Sequence, residues 1–134
     1  MNIFHLKTNQ IQLFKKLIEA LREIMIETNM ELSNNCLKII KMNSKNSIFC
    51  SLTLEKDKIN NDANFFECQY PENKPLFVGV NLLNLSKILK SVSTENILHF
   101  QIEKNNKNAL IVKVENTDRL ELSNYTINFI EINL

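Results

Sequence analysis

The sequence predicts an α+β domain in which two helices lie on one face of antiparallel sheet. Two segments repeat apolar residues at three- and four-residue steps, which is the period of an amphipathic helix. Most of the remaining apolar residues fall in short runs, two of which alternate with period two as in half-buried strands. The 134 residues, 44% of them hydrophobic and 23% charged, suffice for one domain with a sizeable core.

The first half of the chain predicts a strand, a helix and three strands. The first strand covers residues 2–7, and Thr8 or Asn9 can cap the helix that follows, from Gln10 to about Thr28. The apolar stripe of this helix comprises Phe14, Leu17, Ile18, Leu21, Ile24 and Met25. Strands are predicted at 30–32, 36–42 and 48–54, separated by Asn- and Ser-rich turns, and residues 55–64 are predicted to form a solvated loop.

The second half repeats this order. Strands are predicted at 65–70 and 76–80, followed by a helix from Asn81 to about Val92. Hydrophobic alternation predicts two further strands at 98–102 and 110–114, and a long last strand over 120–132. Two strand–helix–strand units with their helices on one side form an α+β layer arrangement.

Catalytic and cofactor-binding patterns are lacking in the sequence. A single glycine, Gly79, excludes a phosphate-cradling loop or a dinucleotide fingerprint. His5 and His99 lie in predicted strands and are interpreted as solvent-facing or edge-strand histidines, without the ligand spacing of a zinc site. We therefore expect no enzyme activity, no metal and no cofactor.

The cysteine usage and the N-terminus predict the compartment. The three cysteines are odd in number and far apart, which argues against a disulfide framework and for a reducing environment. The first ten residues lack the cleavage site of a signal peptide, and no apolar run reaches the length of a membrane span. A soluble intracellular domain without membrane contact is expected.

Five cations stand out on the polar sides of the two predicted helices. If both helices bury their apolar stripes on the sheet, these cations face outward together; they are Lys15, Lys16, Arg22, Lys87 and Lys90. Such a surface would contact DNA phosphates without reading bases. The net charge of +1 adds no general attraction. Because Glu19 and Glu23 share the first helix, an ordinary solvated helix face is the alternative interpretation.

Two segments resemble a known family. They are FKKLIEALREI, residues 14–24, and above all GVNLLNLSKILKSV, residues 79–92. Both resemble the N-terminal domain of the eukaryotic-type DNA sliding clamp, proliferating cell nuclear antigen. The similarity extends from Phe4 to about Glu131 in the same element order, and it includes Met42 and the Ser-Asn-Tyr of residues 123–125.

The resemblance implies a non-enzymatic ring that encircles double-stranded DNA. In this family the helices form the inner wall, and its basic positions match the five cations named above. The ring is placed on DNA by a clamp loader, slides, and tethers DNA polymerase and other replication and repair proteins, which implies a nuclear location. The wall of the client-binding pocket matches Ile40 and Met42, although Asn43 and Asn46 replace the acidic residue and the histidine usual in the family.

The resemblance also implies a subunit joint in the last strand. Edge-to-edge strand pairing closes the family's rings, and the matching residues here are Ser123, Asn124, Tyr125 and Ile127. For Tyr125 an ordinary strand aromatic is an equal alternative. Residues 1–134 are interpreted as the N-terminal half of a two-domain subunit that forms a trimeric ring, or else as a half-clamp that needs six copies. A clamp-derived protein-interaction module without a ring is the alternative function, and an unrelated α+β ligand-binding domain is a third.

Overall fold

The computed structural model describes residues 2–34, 36–42, 48–55, 64–71, 73–116 and 118–130. These residues contain the helices α1 (Ile11–Arg22) and α2 (Leu82–Leu89). The strands are β1 (Asn2–Thr8), β2 (Glu27–Leu32), β3 (Cys36–Met42), β4 (Ile48–Glu55), β5 (Phe66–Gln69), β6 (Leu76–Asn81), β7 (Ile97–Glu103), β8 (Asn106–Asn116) and β9 (Glu121–Asn128). The prediction of an α+β domain is confirmed. The predicted loop at 55–64 falls mostly outside the described residues.

The strands form two antiparallel sheets. One has five strands in the order β5-β1-β7-β8-β9, and the other has four in the order β4-β3-β2-β6. The two repeats therefore exchange the strands that directly precede their helices: β1 pairs with β7 of the second repeat, and β6 pairs with β2 of the first. Each sheet is completed by a strand from the other half of the chain, so the repeats form one interlocked domain.

Helix α1 is shorter than the sequence predicts. It ends at Arg22, and the backbone N–H groups of Ile24 and Met25 both bond to the carbonyl of Leu21. The residues from Glu27 onward belong instead to β2, in which alternate side chains point inward. Ile24, predicted in the buried stripe, is 52% exposed, because strand pairing of β2 with β6 ends the helical period beyond Arg22.

The predicted cap of α1 is also wrong. Gln10 occupies the N-cap position without a side-chain cap bond. Thr8 and Asn9 instead bond to the backbone of Phe65. The Thr8 hydroxyl donates to the Phe65 carbonyl at 2.7 Å, and the Asn9 amide oxygen accepts from the Phe65 N–H at 3.0 Å. Helix α2 does have a side-chain cap, since the Asn81 amide oxygen accepts from the N–H of the residue three positions on at 3.0 Å.

The helices and the sheets share one hydrophobic core. Phe14 of α1 lies between two buried sheet aromatics, with ring centroids 6.1 Å from Phe66 and 5.6 Å from Phe100. The helices pack against each other, and α2 also contacts β2, β6 and β9, which belong to both sheets. This packing holds α1 and α2 side by side on one surface of the domain. Neither helix is long and apolar enough to cross a membrane in the ranges described.

The last strand is shorter than predicted. Pairing with β8 ends at Asn128, and the chain then crosses to the other sheet, where the N–H of Ile130 donates to the carbonyl of Gly79 at 3.0 Å. Strand β9 forms the end of the five-stranded sheet and has no neighbour on its outer side within the described residues.

Candidate nucleic-acid interface

The outward side of the helix pair carries four lysines. One apolar face of each helix is buried, which turns the opposite faces of α1 and α2 to solvent. Lys16, Lys87 and Lys90 are exposed and Lys15 is half-buried. None of the four forms an ion pair within 4 Å in the described part of the chain. Their charges are therefore available to an external anion.

Lys15 and Lys90 meet across a groove between the helices. The groove is a cavity of about 140 Å³, and it is lined by Lys15, Ile18, Glu19, Ser86, Leu89 and Lys90. The two lysines come from different helices, 75 positions apart in the chain, so only the helix packing brings them together. Glu19 is the one carboxylate among these lining residues.

Arg22, the fifth predicted cation, has a different environment. It is half-buried at the end of α1, and its Nε is buried without a hydrogen-bond partner among the described residues. It lines a cleft formed by the segment that joins α1 to β2, where Glu23 and Glu27 also lie. The neighbouring carboxylates make Arg22 a weaker candidate for DNA contact than the four lysines.

The predicted joint residues lie within β9. Ser123 and Asn124 are exposed, and Tyr125 is half-buried against the core. Ile127 is 4% exposed and packs in the core, so its side chain is not available at the sheet edge. Only its backbone groups can take part in pairing with another strand.

The predicted client-binding residues lie on β3. Ile40 is paired with Asn29 of β2 and Ser51 of β4, whereas Met42 is paired with Ile48 of β4. The strand that carries both residues is an interior strand of the four-stranded sheet. Their side chains, together with Asn43 and Asn46, lie outside the described residues.

The two histidines form a cluster that the sequence did not predict. His5 and His99 lie on β1 and β7, which are interior strands, and His99 is 8% exposed, so the expectation of solvent-facing or edge histidines is wrong. His99 Nε2 lies 3.3 Å from a carboxylate oxygen of Glu115, and its Nδ1 lies 2.9 Å from His5 Nε2, which is also 3.3 Å from the side-chain amide nitrogen of Gln101. Strand pairing across 94 residues creates this contact, so no local sequence pattern signals it.

This histidine pair predicts acid-sensitive stability. Burial lowers the pKa of both rings; for His5 the charges of His99, Lys7 and Lys113 add to this effect, whereas Glu115 opposes it at His99. Below about pH 6.5 the unfolded chain binds protons that the folded chain refuses, so the free energy of unfolding falls with decreasing pH. The slope is at most about 1.4 kcal/mol per pH unit for each proton.

The measurement is urea unfolding between pH 5 and 8. We expect the double variant His5→Gln, His99→Gln to lose a part of the acid destabilisation that the parent shows. Parallel pH curves for the two proteins would contradict the role of the pair.

Across the described ranges, no cluster of three or more His, Cys, Asp and Glu side chains is arranged to hold a metal ion.

Comparison with known proteins identifies the family. Residues 3–134 match the family model described as proliferating cell nuclear antigen, N-terminal domain. The chain belongs to this family. The resemblance of residues 14–24 and 79–92 to the clamp domain is thereby confirmed.

Two individual proteins agree with the family match. The chain is similar to the probable DNA polymerase sliding clamp 1 of Paramecium bursaria Chlorella virus 1, with 22% identity over 130 residues that cover 97% of this chain and 47% of that protein. It is also similar to the crystal structure of proliferating cell nuclear antigen from Entamoeba histolytica, with a TM-score of 0.80, 27% identity, and coverage of 99% and 49% of the two chains. The chain spans about half the length of both.

Proposed function

We propose that this chain is a domain of a DNA sliding clamp that acts as a polymerase processivity factor. The observation that carries the proposal is the surface of α1 and α2, where four lysines without ion-pair partners in the described part of the chain project from two packed helices. Lysines contact phosphates as point charges and read no base edges, so binding is independent of sequence and sensitive to salt. Weak contacts of this kind with the DNA backbone let a ring slide along the duplex.

Ring closure in this proposal uses the outer edge of β9. An unpaired strand edge is a liability in a soluble protein, and pairing with a second strand is one way to satisfy it. The exposed Ser123 and Asn124 and the half-buried Tyr125 lie on this edge strand. The chain serves as the N-terminal half of a two-domain subunit, three of which close a ring; a ring of six separate copies is the second arrangement. A clamp loader opens the ring onto DNA.

The proposed clamp carries out no chemistry of its own. It tethers DNA polymerase and other replication and repair proteins through a pocket whose wall includes Ile40 and Met42. It acts where DNA is replicated, which is the nucleus for a cellular protein. No metal or cofactor takes part in this function.

The test is primer extension by the DNA polymerase of the same source on a primed circular template. Each polymerase molecule is allowed a single binding event, with clamp loader present, and product length is measured with and without the full-length protein. We expect products to lengthen several-fold, and to shorten again on a linear template with open ends. A protein that binds polymerase without changing product length would favour the interaction module without a ring.

A further inference from the structure

Ser86 is a buried polar residue without an evident structural task. It lies on α2, is 2% exposed, and its hydroxyl has no hydrogen-bond partner among the described residues. Burying a hydroxyl without a partner costs free energy, so buried hydroxyls in folded proteins are usually bonded. Ser91, just past the end of the same helix, shows the usual solution, since its hydroxyl donates to the carbonyl of Ile88 at 2.8 Å.

Ser86 lies at the groove between the helices. The groove has apolar walls from Ile18 and Leu89, and the ammonium-bearing chains of Lys15 and Lys90 line it from opposite helices. Because the Ser86 hydroxyl has no described bond to break, rotation about its Cα–Cβ bond can turn it into the groove as a donor. The groove thus combines two cations with one hydroxyl that has no described hydrogen bond. Glu19 contributes the one negative charge among its lining residues.

We infer that this groove seats one backbone phosphate of duplex DNA, held between Lys15 and Lys90 with the Ser86 hydroxyl donating to a phosphate oxygen. The inference rests on the proposed function and assigns the groove a defined role within it. A phosphate oxygen is an acceptor, and a hydroxyl donates to it with no change of charge. The two lysines attract the phosphate over a distance, whereas Ser86 acts only once the phosphate is seated.

The experiment measures binding of the full-length protein to a blunt 30-base-pair duplex by fluorescence anisotropy across a range of salt concentrations. Ser86→Ala is compared with Ser91→Ala, which removes an exposed hydroxyl that already has a partner. We expect Ser86→Ala to weaken binding by about 10-fold or more at every salt concentration, because it removes a hydrogen bond to a charged group. The slope of affinity against salt should stay unchanged, because no cation is removed. Ser91→Ala should bind as the parent does.

A double-mutant cycle with Lys90→Ala tests whether the two residues share one phosphate. Lys90→Ala should reduce the salt slope by about one. If Ser86 and Lys90 hold the same phosphate, the loss of affinity in the double variant is smaller than the product of the two single losses. Strictly multiplicative losses would contradict a common phosphate.

Two further outcomes separate the inference from the proposed function. If Ser86→Ala binds DNA as the parent does while Lys15→Ala and Lys90→Ala bind more weakly, the phosphate seat is wrong and the clamp function stands. If none of the three variants changes DNA binding, the basic helix surface itself is not the DNA interface. The Tm of Ser86→Ala is expected to equal or exceed that of the parent, because a buried hydroxyl without a partner is removed. A clear fall in Tm would mean that the hydroxyl has a structural partner, which also overturns the inference.

Discussion

Replacing Lys15, Lys16, Arg22, Lys87 and Lys90 together with alanine is expected to abolish processive synthesis while the domain stays folded. Removing the cation at one phosphate lowers the slope of log affinity against log salt by about 0.9, so the slope should fall by about 3.6 to 4.5. The lower value applies if Arg22, half-buried beside two glutamates, does not reach a phosphate. Alanine favours helix, and three of the five side chains are exposed, so helix stability is retained.

The matched control removes five cations from other parts of the surface. Lys38 lies on β3 and Lys74 precedes β6. Lys104 lies in the turn between β7 and β8, Lys107 lies at the start of β8, and Arg119 precedes β9. Replacing these five with alanine changes the net charge by the same amount. We expect this control to keep most of the processivity and of the salt slope. An equal decrease in the two variants would show that net charge, not the surface of α1 and α2, determines DNA association.

If the proposed ring closes through β9, Tyr125→Ala is expected to convert it to smaller species. Aromatic side chains commonly contribute most of the binding energy of an interface, and Tyr125 lies on the open edge strand β9. Light scattering behind a sizing column, over a wide range of protein concentration, measures the absolute mass. The variant should dissociate at concentrations where the parent remains a ring, and a ring of unchanged mass would refute the joint.

Two controls separate the joint from the stability of the domain. Tyr125 also packs against the domain core, so its removal costs some folding free energy as well. Thr126→Ala alters an exposed neighbour on the opposite face of β9 and should leave the mass unchanged. Tyr125→Phe retains the aromatic side chain and its packing. The mass of this variant therefore shows whether the tyrosine hydroxyl alone contributes to the assembly.

The sequence predicted the elements of this fold more reliably than their ends. Alternation at 98–102 and 110–114 placed β7 and β8 correctly, because the apolar positions of both strands are mostly buried in the core, although the polar positions His99 and Gln101 of β7 are buried as well. Ile24 and Met25 happen to continue the helical spacing of α1, so the predicted helix ran on into β2, the strand that pairs with β6. Tertiary pairing decides such a boundary, and a local pattern does not contain it.

The candidate site was predicted only in part, because local spacing indicates the lysines but tertiary packing creates the groove. Lysines on the polar side of a helix are visible from helical spacing alone, as Lys16 and Lys87 show. The groove forms only when α1 packs against α2, and no residue near Ser86 in the sequence indicates that Lys15 lies across the groove from it. A serine inside the apolar stripe of α2 was the one available signal, because the other buried positions of that helix are leucines.

The exchange between the repeats of the strands that precede their helices has a consequence during protein synthesis. Strand β1 emerges from the ribosome well before its partner β7, as the contact between His5 and His99 across 94 positions shows. At a synthesis rate of about 5 to 20 residues per second, the apolar Phe4 and Leu6 wait roughly 5 to 20 seconds for their sheet. Until β7 is synthesised, these two apolar side chains lack the strand that covers them in the folded domain.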